Sequence, residues 1–85
     1  MNRQELIDEG SKLLTGVKLT EAERSIINDL YMLLSDTNNV SLRTTWFAAE
    51  SFINNYEFTS QSPAYKFSME IRASYNDSEY AKKRQ

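Results

Sequence analysis

Apolar residues recur at helical spacing through most of this 85-residue chain. Between residues 41 and 56, Leu42, Trp46, Ala49, Ile53 and Tyr56 stand four, three, four and three positions apart. That spacing gathers them on one helical stripe and makes the single tryptophan the expected centre of a small core. A first helix is predicted over 2–15, with Leu6, Ile7, Leu13 and Leu14 on one face and Glu5, Asp8, Glu9 and Lys12 on the other. Gly10 falls inside the apolar stripe, where glycine costs about 1 kcal/mol against alanine, so its expected use is close approach of another helix. Gly16 suits the left-handed position that ends a helix.

Thr20-Glu-Ala-Glu23 is a capping-box pattern, in which threonine accepts from the third helical amide and glutamate reaches back to the cap. It opens a second helix predicted over 20–35, with Ile26, Ile27, Leu30, Leu33 and Leu34 apolar. Tyr31 and Met32 fill the gaps, so residues 30–34 are expected to be buried all round. Asp36-Thr-Asn-Asn39 supplies turn residues before a third helix over 41–56.

After the linker Thr59-Ser-Gln-Ser-Pro63 two periods compete. Tyr65, Phe67, Met69, Ile71, Ala73 and Tyr75 alternate with polar residues, the period of a half-buried strand. Ala64, Phe67, Ile71 and Tyr75 also share a helical face, and Ser62-Pro63 is a helix start because proline is pre-set for the first turn. Good helix formers (Ala, Lys, Met, Glu, Arg) fill the intervening positions, which favours a fourth helix over 63–76. Asn76-Asp77-Ser78 breaks that segment or caps a last turn leading to Lys82-Lys83-Arg84, cations suited to a helix C-terminus. The expected fold is all-α, a small four-helix domain spanning 1–85. Its alternative is α+β, three helices followed by a β-hairpin.

Composition narrows the chemistry. The chain has neither cysteine nor histidine, which removes disulfides, thiol and Ser-His mechanisms, and the commonest metal ligands. Ser-Lys and paired-carboxylate chemistry remain formally open, but two glycines cannot build a Gly-rich phosphate cradle, and neither an EF-hand nor a nucleophile elbow is present. Glu5, Asp8 and Glu9 share a face, yet acidic residues favour a helix start, and Asp8 with Lys12 makes an i,i+4 pair. No enzyme, no cofactor and no metal are therefore expected. No apolar run reaches the roughly 18–20 residues of a membrane span, and Met-Asn-Arg-Gln-Glu does not open as a signal sequence, so no membrane partner and a cytoplasmic location are expected. The mild net charge of −2 neither attracts nucleic acid as a whole nor marks an acidic tail.

Aromatic residues carry the functional expectation. Nine of the ten lie between Trp46 and Tyr80, more than a small core holds, and tyrosine's polar tip suits an interface. Phe47 points about 100° away from the apolar stripe, into a face made by Arg43, Glu50, Ser51 and Asn54. There it is either covered by segment 63–80 or used as an anchor with a polar rim. The expected partner-binding residues are Arg43, Phe47, Glu50, Tyr65, Met69 and Tyr80, and the partner is another protein or a second copy of the chain.

The runner-up partner is DNA. Leu33 to Ile53 reads as helix, turn, helix, with Arg43, Thr44 and Thr45 opening a recognition helix, and hairpin strands at 56–60 and 65–73 would follow. This resembles, in outline, the order of elements in winged-helix proteins. Only one of the ten basic residues, Arg43, lies in that recognition helix, whereas a DNA reader needs several phosphate contacts. The expected activity is accordingly that of a small protein-binding regulator or inhibitor; by base rate alone, and not from any residue, chains this small are often accessory proteins of phages and mobile elements.

Overall fold

The computed structural model describes residues 1–55 and 59–75. They form four helices: α1 (Arg3–Gly16), α2 (Glu21–Ser35), α3 (Leu42–Asn55) and α4 (Pro63–Tyr75). No strand occurs among the described residues. The segment after Pro63 is helical, so the hairpin alternative and its winged-helix outline are overturned. Alternation lost because α4 buries Ala64, Phe67, Ser68, Ile71 and Ser74, spaced three, one, three and three, against neighbours that cover one side only. Tyr56, the proposed strand at 56–60 in part, Tyr80 and the segment from Asn76 through Lys82-Lys83-Arg84 lie outside the described residues.

Local chemistry sets each start. Thr20 accepts from the Glu23 amide at 3.2 Å, and Glu23 Oε1 accepts from the Thr20 amide at 3.0 Å, which completes the expected capping box. A second box, formed by Asn2 and Glu5, opens α1. Ser41 Oγ accepts from the Thr44 amide at 3.2 Å at the head of α3. Gly16 is not left-handed: it is the last helical residue of α1, and Val17 turns the chain into extended backbone.

Neither α1 nor α2 has a basic residue in its last turn, and each takes one from the other. Arg3 donates to the carbonyls of Leu34 (2.9 Å) and Leu33 (3.1 Å) at the end of α2. Arg24 donates to Leu14 O (3.1 Å) at the end of α1. Cations thereby meet the negative ends of both dipoles and satisfy carbonyls that no helical amide reaches. This exchange requires α1 and α2 to run antiparallel. Ser74 donates to Met1 O while Phe67 lies against Gly10, and Tyr75 meets Trp46 while Arg72 meets Glu50, so α4 runs antiparallel to both α1 and α3. The result is an up-down-up-down bundle.

The core is Leu6, Ile26, Ile27, Leu30, Leu34, Ala49, Ala64, Phe67 and Ile71, with Ile7, Leu13, Leu14, Leu19, Leu42, Ala48 and Phe52 packed against it. Its large buried members come from α2 and α4, the diagonal of the bundle, with Leu6 from α1. Gly10 serves as expected: a Cβ there would lie 3.0 Å from both Phe67 Cζ and Tyr31 Cδ1, so the missing methyl makes room for two rings.

Two sequence expectations are corrected. Trp46 is half-buried and outside the core, while its neighbour Thr45 is fully buried. Helix α3 is rotated so that Thr45 and Ala49 face inward, and it packs more extensively on α4 than on α2. The Thr45 hydroxyl needs no outside partner, since it donates to Leu42 O at 2.7 Å. In α2, residues 30–34 are not buried all round: Met32 is 62% exposed, and Tyr31 and Leu33 are half-buried.

Candidate functional site: the outer face of α3 and α4

Rotation of α3 leaves Trp46 and Phe47 on the rim of the bundle. Phe47 is 53% exposed and stands edge-on to Trp46, with ring centroids 5.0 Å apart and planes at 75°. The Arg43 guanidinium lies over the Phe47 ring at 5.5 Å, within cation–π range. Trp46 also meets Tyr75 of α4 at 5.6 Å. Three aromatic rings thus form a continuous patch from α3 onto the end of α4, with Phe47 its most exposed member.

The indole of Trp46 is held by rings rather than by a hydrogen bond. Its Nε1–H is buried without an acceptor among the described residues. Leaving such a donor unpaired costs about 1–3 kcal/mol.

Glu50 and Arg72 bridge the seam beside this patch. Arg72 Nε lies 3.0 Å from Glu50 Oε2, an ion pair without the alignment of a hydrogen bond. It is the one ion pair among the described residues; Asp8 accepts instead from Gln4 Nε2 at 3.1 Å, and the expected Asp8–Lys12 pair is not made.

Of the six residues expected to bind a partner, Arg43, Phe47 and Glu50 come together on α3. Tyr65 and Met69, both half-buried, share the Arg72 sector of α4 by helical spacing. They lie further along the same outer side, Tyr65 ten residues or about 15 Å from the level of Tyr75. Tyr80 falls outside the described residues. Trp46, Tyr75 and Arg72 belong to the face and were not among the expected site residues. Tyr75 had a signal in the clustering of aromatics; the Arg72 pairing had none, because it depends on the register between two helices.

A different polar cluster lies where α1 meets α4. Glu70 Oε2 is buried without a hydrogen-bond partner among the described residues. Burial pushes its carboxyl up, and the nearby Glu9 charge adds to that, against the opposing pull of the chain's amino terminus. Glu23, at the head of α2, shifts the other way. The Ser62 hydroxyl donates to its Oε2 at 2.6 Å and stabilises the carboxylate, and the Thr20 amide adds to the effect. Among the described residues there is no group of three or more acidic side chains able to hold a metal ion. No described helix is long and apolar enough to cross a membrane.

Comparison with known proteins returns no matching family model, no matching curated protein and no matching solved structure.

Proposed function

We propose that the protein is a non-enzymatic regulator that binds another protein, or a second copy of itself, through the outer face of α3 and α4. The observation that carries this reading is Phe47, a large apolar ring 53% exposed yet held in one orientation by Trp46 and Arg43. An aromatic anchor already fixed in the free protein loses little side-chain entropy on binding. Its surroundings have the composition of an interface centre: aromatic rings with arginine, and an ion pair at the rim. Occlusion of the partner's own surface is the regulatory or inhibitory act that so small a binder performs.

The test is affinity capture of the tagged full chain from its native cell extract, with and without nuclease, repeated with Phe47→Ala. A discrete protein retained after nuclease treatment, and lost with Phe47→Ala, supports this reading. Sedimentation that shows concentration-dependent dimers of the wild type, but not of Phe47→Ala, identifies the second copy as the occupant. Retention that vanishes with nuclease rejects the protein-binding reading and directs attention to Arg43 and nucleic acid.

A further inference from the structure

The opposite flank of α3 borders a second surface. Between α2 and α3 runs an open groove whose apolar floor is made by Met32, Leu33, Val40, Ala48 and Phe52. Its charged lining is acidic only, Asp29 and Asp36. Neither carboxylate is ion-paired among the described residues, since the one such pair is Glu50–Arg72. Arg3 does reach this end of α2, but its guanidinium is taken up by the backbone carbonyls of Leu33, Leu34 and Asp36. The exposed Met32, unexpected in the middle of an apolar run, belongs to this groove, and methionine's flexible thioether suits a surface that accepts another side chain.

We propose that this groove docks a cationic amphipathic helix of a protein partner. Asp29 on α2 and Asp36 at its C-cap stand seven residues apart, about 10 Å along the helix axis, and Asp36 Oδ1 also accepts from Asn39 Nδ2 at 3.1 Å. A helix laid in the groove would answer them with Lys or Arg seven residues apart, and would place apolar side chains three and four positions after the first cation onto Met32, Ala48 and Phe52. No two of this chain's ten basic residues are seven apart, so no helical segment of a second copy carries that pattern. The occupant is therefore a different chain, and the protein would engage it independently of the Phe47 face.

The experiment uses a fluorescein-labelled helical peptide with two lysines seven apart and leucines three and four after the first. Its binding to the full chain is followed by anisotropy. The control peptide has the same composition with the lysines five apart. The expected result is preference for the first peptide, a loss of more than tenfold with Asp29→Lys and with Met32→Glu, and no change with Phe47→Ala. Asp29→Lys should in turn favour a peptide carrying Glu in place of the first Lys. Asp29 and Met32 are both exposed, so circular dichroism should show both variants folded. The proposal is overturned by equal binding of the two peptides, by a change under twofold in both groove variants, by absence of binding at millimolar peptide, or by loss of binding with Phe47→Ala.

Discussion

The α2/α4 diagonal and the outer face of α3 both carry large apolar side chains and use them in opposite ways. On the diagonal, Ile27, Leu30, Leu34, Phe67 and Ile71 are at most 1% exposed, and Gly10 of α1 is shaved to the backbone to admit the Phe67 and Tyr31 rings. On α3 the inward positions went to Thr45 and Ala49, and Trp46 and Phe47 were left at the rim, while Phe52 packs against the core. Size alone does not decide burial. A seam between closely approaching helices takes small side chains, and bulky ones are displaced to where space or a partner exists.

The contrast breaks most visibly at Phe67. Phe67→Ala should cost about 3–5 kcal/mol in urea unfolding followed by circular dichroism, whereas Trp46→Ala, despite removing a larger ring, should cost about 1–3 kcal/mol. Equal losses would return Trp46 to the core. Gly10→Ala comes next: about 1 kcal/mol of gained helix propensity is set against crowding of two rings that typically costs about 1–3 kcal/mol, so a net loss near 1 kcal/mol is expected. A stabilised Gly10→Ala would mean that the diagonal has slack.

Two carboxylates extend the comparison to pH. Glu23 is held below its ordinary value of 4.5, so its stabilising contribution is full above 4.5 and is lost as pH falls through the lowered value. Glu70 is pushed above 4.5, so its contribution is full below 4.5 and is lost as pH rises through the raised value. Glu70→Gln should therefore raise the melting temperature at pH 7 and flatten the decline in stability above pH 4.5. Glu23→Gln, which keeps the capping geometry, should remove part of the acid destabilisation instead. The reverse pattern in melting curves taken from pH 3 to 7 would contradict the environments described for both groups.

Phe47→Ala should have the smallest effect on folding, within about 0.5 kcal/mol of wild type, since the ring is more exposed than buried. Its expected consequence lies in partner capture or self-association. A large loss of stability would make Phe47 a structural residue and remove the anchor.

The helices were legible almost to the residue because their signals are local. Thr20 with Glu23, Ser41, and Pro63 act within one turn, and the periodicity of α1 and α2 states which side faces inward. Asn2 with Glu5 was equally local, and its N-x-x-E spacing is a readable cap. The candidate site was legible by half. Phe47 stood out because a large ring among polar neighbours is visible in one helix, and Arg43 and Glu50 are its neighbours by spacing. Trp46 was misplaced because hydrophobicity ranks residues and does not measure the gap into which they must fit.

What the sequence by itself determined is whatever a single turn of helix can satisfy: where each helix starts, that glycine at position 10 makes room for a neighbour, and that no thiol or imidazole chemistry is present. Only the tertiary structure decided the rotation of α3, the exchange of Arg3 and Arg24 between the ends of α1 and α2, the Glu50–Arg72 pair, and the acidic groove at Met32. Each of these depends on the distance and register between helices. Those are set by the packing of side chains remote in sequence, which no local spacing encodes.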